Sequence, residues 1–304
     1  MASHVPYVMS IPKSMPFRAA SGMIGSALIR LFPARVARFE SGQVSSPLSR
    51  IDRLLIAGIY RYHESRNSLE RLAPLFDAFW RADSATDFHR RVAARFESVF
   101  LPHHAESLVQ QISSAMERFP AVTWHTFTEI GCGSGRVLDY FRTRLPSISL
   151  FVGVDLSEAQ VESNRLHFVG TGMAFTAVDG AVWVANCVTP GLVAFTYGGV
   201  FEYFPAPKVL GLMQRLAGAL QPSMLVLVEP LADEHDLRGE ASSVTFGHES
   251  TWSHNYARLC KDAGLEVVYS FEQRIGGQRW LQLVALSSAG MVGGTGIEPV
   301  TPAV

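Results

Sequence analysis

The chain of 304 residues has only three cysteines, Cys132, Cys187 and Cys260, and no two form a CxxC pair. That excludes a disulfide framework and a thiolate-rich metal knuckle, and it fits a reducing compartment, so a cytoplasmic location is expected. Lysine is scarce: Lys13, Lys208 and Lys261 are the only ones among 26 basic residues. With 27 acids the net charge is −1, so the chain lacks the basic excess that would draw it to nucleic acid. No apolar run approaches the ~20 residues of a membrane span. No internal repeat is present. His103, His104 and Glu106 are the nearest thing to a metal cluster, but adjacent side chains diverge, and no metal is expected.

Hydrophobic residues, in contrast, make up 48% of the chain, enough for a sizeable core. Residues 1–50 carry Lys13, Arg18, Arg30, Arg35, Arg38 and Arg50 against a single acid, Glu40. This composition is shared by transit peptides and by helices that lie on anionic membranes. Without a cleavage site or a sustained amphipathic pattern, it reads as a basic arm that packs on the rest of the protein.

Helical spacing of Leu72, Leu75, Phe76, Phe79 and Trp80 predicts a buried stripe. A further helix is expected over 87–100, closed by Pro102, and another from near His104 to Pro120. From residue 126 the pattern changes. Apolar strands at 127–130, 149–155, 173–179, 191–195 and 224–229 alternate with helical segments. Ser157 and Gln160 suggest a capping box at the second of these helices. Ser253 is placed to cap a helix at 254–263, and two final strands flank Gly276–Gly277 as an antiparallel hairpin. The expected fold is therefore α/β: a mostly parallel sheet with helices on both faces, an antiparallel terminal hairpin and an α-helical extension in front. The expected organisation is an arm and helical extension over 1–118, a core over 119–288 and a disordered glycine- and proline-rich tail over 289–304.

Chemistry concentrates in EIGCGSGR, Glu129 to Arg136, between the first strand and its helix. Glycines permit the left-handed backbone of such a turn and the close approach of a ligand, and the helix behind it presents free amides. Alone the cluster is weak, because nicotinamide enzymes use a related loop; here, however, position 136 is arginine where their further glycine would follow. Asp155 ends the second strand, where a carboxylate can accept ribose hydroxyls, and Asp179 ends the third. In an open sheet these carboxyl ends share one crevice at the topological switch point.

With Glu129, Gly131, Gly133 and Gly135 in acid-x-glycine-x-glycine-x-glycine order, residues 120–286 resemble the class I S-adenosylmethionine-dependent methyltransferases. The resemblance implies a seven-stranded sheet. It also implies that the loop, with Cys132, holds the methionine part, Asp155 the ribose, Leu156 an adenine face and Asp179 the adenine amino group. Gly180 and Thr196 complete the expected cofactor wall. FTYGGVFEYF (195–204) resembles the family's fourth-strand segment, yet it offers Thr196 and Tyr197 where many relatives place an acid or asparagine. The catalytic residue is thus unassigned; Glu202, Tyr203, His235, His248 and His254 are the candidates.

The expected function is methyl transfer to a small-molecule acceptor, the alternative being a non-catalytic cofactor-binding or partner-binding protein on the same fold. The helices of 51–118 and the connection 231–253 are expected to form the acceptor side of the pocket, since the sheet edge already serves the cofactor. The oligomeric state is not legible.

Overall fold

The structure is a computed structural model that describes residues 24–44, 48–66, 68–82, 94–247 and 251–287. The expected tail at 289–304, the candidate His248 and the first turns of the helix expected over 87–100 lie outside the described residues.

Five parallel strands, β1 (Thr126–Ile130), β2 (Leu150–Asp155), β3 (Met173–Ala177), β4 (Leu192–Tyr197) and β5 (Ser223–Leu231), form the centre of a seven-stranded sheet. A two-stranded ribbon, β6 (Val244–Phe246) and β7 (Thr251–Ser253), stands apart from it. The sheet is completed by β8 (Leu265–Ile275) and β9 (Gln278–Ser287), in the order β3-β2-β1-β4-β5-β9-β8. β9 runs antiparallel to both β5 and β8, and the Gly276–Gly277 turn joining β8 to β9 has positive φ at both residues. The expected hairpin is therefore present, on a sheet of the kind expected from the resemblance. Because the chain runs outward from β1 in one direction through β2 and β3 and in the other through β4 and β5, the crevice opens between β1 and β4.

Each face of the sheet buries its own core. On one face Phe127 stacks on Phe141 at 4.9 Å and on Phe151 at 5.6 Å. On the other, Ile130, Leu192 and Ala194 meet Leu212, Met213 and Leu216. Seven helices within or preceding the core matter below: α1 (Pro33–Glu40), α2 (Arg50–Glu64), α3 (Ala73–Arg81), α4 (Glu106–Glu117), α5 (Arg136–Arg144), α6 (Glu158–His167) and α7 (Gly180–Asn186). They are followed by α8 (Ala206–Ala217) and α9 (Tyr256–Ala263). The helical extension has a third core, in which Leu55, Ile59, Leu72 and Phe76 surround one another and reach Trp252 of β7. Phe76 lies 5.7 Å from Tyr203 and 6.0 Å from Trp252, ring to ring, and Trp80 lies 5.1 Å from Tyr203, so α3 joins the extension to the sheet domain through these rings.

Three local expectations need correction. Pro102 does not close a helix: it sits inside a π-helix, Phe96–Ala105, that runs directly into α4. A proline disrupts an α-helix through its missing N–H and its clash with the preceding turn, and the wider π turn relaxes both demands. Ser157 caps α6 by accepting from the Gln160 amide at 3.2 Å, but the reciprocal half of the box is absent. The Ser157 N–H goes instead to Asp155 at 2.9 Å, an anionic acceptor that outcompetes a neutral amide, and Gln160 turns to Asn164. Ser253 does not cap α9; Asn255 does, accepting from the Arg258 amide at 3.1 Å.

Candidate active site

The turn after β1 is stitched to β2 before any ligand is considered. The amides of Gly131 and Cys132 donate to the Val154 carbonyl at 2.7 and 3.0 Å. The Gly133 amide donates to Asp155 Oδ2 at 2.9 Å, and Asn164 Nδ2 donates to the Gly133 carbonyl at 2.7 Å. Gly131, Gly133 and Gly135 have φ of 72°, 44° and 72°. A β-carbon at Gly131 would lie 2.5 Å from Val200 Cγ2, and one at Gly135 would lie 2.8 Å from Phe168 Cε2. At these two positions the demand for glycine therefore comes from the protein's own packing and backbone, in addition to whatever a ligand requires.

Above this turn is a cavity of about 710 Å³, bounded by the carboxyl ends of the strands. Its volume lies within the roughly 300–1,000 Å³ of small-molecule sites. Of the expected cofactor residues, Glu129, Gly131, Cys132, Gly133, Asp155, Leu156 and Gly180 stand on its wall. Glu202 and Tyr203 do as well. Asp77, Trp80, Phe96 and Val99 line it from the helical extension, and Phe246, Gly247 and Thr251 from the connection, so both segments expected on the acceptor side border the cavity.

Other expected residues are elsewhere. Gly135 lies behind the wall as the left-handed N-cap of α5. Asp179 caps α7, accepting from the Ala181 and Val182 amides at 2.9 and 3.1 Å, and its other oxygen pairs with Lys208 at 2.7 Å. Thr196 is buried and donates to Glu229 Oε1 at 2.7 Å. His235 is buried against Ser253, 2.9 Å from Nδ1 to Oγ. His254 is buried with Nε2 3.1 and 3.0 Å from the carbonyls of Phe201 and Phe204, and Nδ1 2.6 Å from Ser243 Oγ. This arrangement suits a neutral ring that donates from Nε2, and burial lowers its pKa to about 4. His104 turns inward to accept from Gln282 at 2.9 Å, while Glu106 pairs outward with Arg144, so the two do not converge on a metal.

Glu129 is the most informative residue of the wall. It is buried, its Oε2 has no hydrogen-bond partner among the described residues, and desolvation, reinforced by the charge of Asp155, pushes its carboxyl well above the usual range. A buried acceptor without a donor is costly unless a ligand supplies one. Asp155 is buried as well, and its two oxygens accept from the Gly133 and Ser157 amides, which fixes the carboxylate at the mouth of the turn.

Two residues escaped the sequence reading. Arg95 lines the cavity and makes no hydrogen bond or ion pair among the described residues. Its guanidinium and the Glu129 carboxyl both act electrostatically on the Tyr197 phenol, which burial pushes upward in pKa. Glu229, at the end of β5, is fully buried and accepts from Thr196 and from the Val200 and Phe201 amides, both at 3.2 Å. It thus holds the segment that presses Val200 toward Gly131 and carries Glu202 and Tyr203 to the cavity. The acid closing MLVLVE (224–229) was its only sequence signal.

No family model matches the chain, and no curated protein does. Among solved structures, a TehB-like S-adenosylmethionine-dependent methyltransferase from Corynebacterium glutamicum is similar, at 13% identity and a TM-score of 0.46 over 68% of this chain and 100% of that one. The magnesium protoporphyrin IX methyltransferase of Synechocystis, with bound S-adenosylmethionine, is 15% identical with a TM-score of 0.41, over 81% of this chain and 100% of that one. The 1,6-didemethyltoxoflavin-N1-methyltransferase of Burkholderia thailandensis is 15% identical with a TM-score of 0.43, over 67% and 88% of the two chains.

Proposed function

We propose that this protein binds S-adenosylmethionine and transfers its methyl group to a small-molecule acceptor. The observation that carries the reading is the buried Glu129 Oε2 beneath the glycine turn, without a partner among the described residues, on the same cavity wall as Arg95, likewise unpaired among them. One is matched to the ammonium and the other to the carboxylate of an amino-acid end. Asp155 takes the ribose hydroxyls, and Leu156 and Gly180 border the adenine. Asp179, saturated by two amides and Lys208, shapes that end through α7 rather than by contact.

When bound, S-adenosylmethionine supplies an electrophilic methyl on a sulfonium. The protein's share is alignment and exclusion of water. The acceptor rests against Trp80 and Phe96 of the extension, Phe246 of the β6–β7 ribbon and Tyr203 of the segment after β4. Tyr197, at the end of β4, presents a hydroxyl that burial keeps protonated, suited to orienting an acceptor oxygen or nitrogen.

Asp77 and Glu202 are the carboxyl groups that the extension and the segment after β4 bring to the acceptor side of the cavity, where either can take a proton from an acceptor that must lose one. Titration calorimetry with S-adenosylhomocysteine tests the binding, and a labelled methyl donor supplied with a metabolite extract tests transfer. Binding with no transfer to any acceptor supports the non-catalytic reading. Preference for NADH rejects the cofactor itself.

A further inference from the structure

A second cavity, of about 230 Å³, lies in the helical extension and shares no lining residue with the first. Ser26, Ile29 and Arg30 of the helical segment 24–31 form one side, and Arg61, Tyr62, Ser65 and Arg66 at the end of α2 form the other. The two helices are held in tight contact. A β-carbon on Gly25 would lie 2.1 Å from the Leu54 carbonyl, and one on Gly58 would lie 2.2 Å from the Gly25 carbonyl carbon.

Arg30, Arg61 and Arg66 converge on this hollow without an acidic partner among the described residues. Arg66 stacks over the Tyr62 ring at 3.9 Å. Both helices end nearby, and each terminus contributes about half a negative charge. Three guanidiniums exceed that compensation, leaving a positive hollow whose fork-shaped donors match phosphate oxygens. Exposed apolar side chains accompany it: Tyr62 on its wall is 38% exposed, and on the segment that carries Arg30, Leu31 is 70% exposed, Ile24 53% and Phe32 37%. Arginines beside exposed aliphatic and aromatic side chains on a short helix are the pattern of an element lying in a lipid interface.

We propose that the extension docks on an anionic phospholipid surface, with Arg30, Arg61 and Arg66 taking a headgroup phosphate and Leu31 and its apolar neighbours entering the acyl boundary. The inference does not depend on the function of the large cavity.

The test is co-sedimentation of the full chain with vesicles of phosphatidylglycerol and phosphatidylcholine, compared with pure phosphatidylcholine. Binding is expected on the anionic vesicles alone, weakened by salt. The R30Q/R61Q/R66Q variant should bind about 100-fold more weakly, at about a factor of five per arginine. Leu31→Ser should also weaken binding while leaving the salt dependence in place. Melting followed by circular dichroism checks that the variants fold; if the triple variant does not, the three single substitutions carry the test. Equal binding to both vesicle types, absence of binding, or a triple variant that binds like the parent would overturn the proposal. Thermal stabilisation by inorganic phosphate without vesicle binding would overturn it in favour of a soluble phosphate ligand.

Discussion

Thr196 and Glu229, on the adjacent strands β4 and β5, meet at 2.7 Å in a region neither shares with solvent. Glu229 also receives the Val200 and Phe201 amides, so one buried carboxylate fastens the bend after β4 that faces the glycine turn.

Desolvation raises the Glu229 pKa to about 7, against an ordinary 4.5, despite the hydrogen bonds that oppose it. Between these values the folded protein holds a proton that the unfolded chain has released. The contribution is therefore fully present below pH 4.5 and is lost as pH rises through 7. The loss is on the order of 3 kcal/mol. Urea titrations of the parent and of Glu229→Gln at pH 4 and pH 8 should show the parent losing about that much relative to the variant. A difference independent of pH would show that folding leaves the Glu229 pKa unshifted.

Asp155→Ala should weaken S-adenosylhomocysteine binding by about 1–3 kcal/mol. The same residue holds the Gly133 and Ser157 amides, so the melting temperature should fall too. Asp155→Asn retains one acceptor and should recover part of each loss. Calorimetry and thermal melts separate the two effects. Unaltered affinity in the alanine variant would remove Asp155 from the ligand's contacts.

Gly131→Ala combines a φ of 72° with a 2.5 Å approach to Val200. The backbone alone should cost about 1–2 kcal/mol. Adding Val200→Ala relieves the clash but not the backbone, so the double variant should regain part of the stability. A double-mutant cycle by denaturant unfolding measures that coupling. Zero coupling would mean that the two side chains do not compete for space.

Glu129→Gln and Arg95→Gln should each weaken S-adenosylhomocysteine about 10- to 100-fold, the worth of a hydrogen bond to a charged group. Adenosine, which lacks the amino-acid end, should bind both variants as it binds the parent. An equal loss for adenosine would indicate general damage to the cavity.

What could be read ahead of the structure was whatever lay within a few residues. EIGCGSGR announced a strand, a left-handed turn and a helix, and Asp155 followed from its place at the end of an apolar run. The terminal hairpin followed from Gly276–Gly277 between two apolar strands. The remainder depended on partners distant in sequence. Asp179 is drawn away from the cavity wall by Lys208, 29 residues later. His254 is a structural donor because two carbonyls some 50 residues earlier meet its ring. Arg95 gave no local signal, since an arginine within an expected helix resembles any solvated one. Pro102 misled because the rule applied to it belongs to α-helices, and the turn around it is wider.

The Phe76 ring has a consequence for how this protein can diverge. It leans on Tyr203, which comes from the segment after β4, and on Trp252, which comes from the β6–β7 ribbon. A change in any one of the three rings alters the support of the other two. Substitutions that reshape this side of the cavity should therefore be tolerated in sets rather than singly, and descendants with altered acceptors should carry paired replacements at positions 76, 203 and 252.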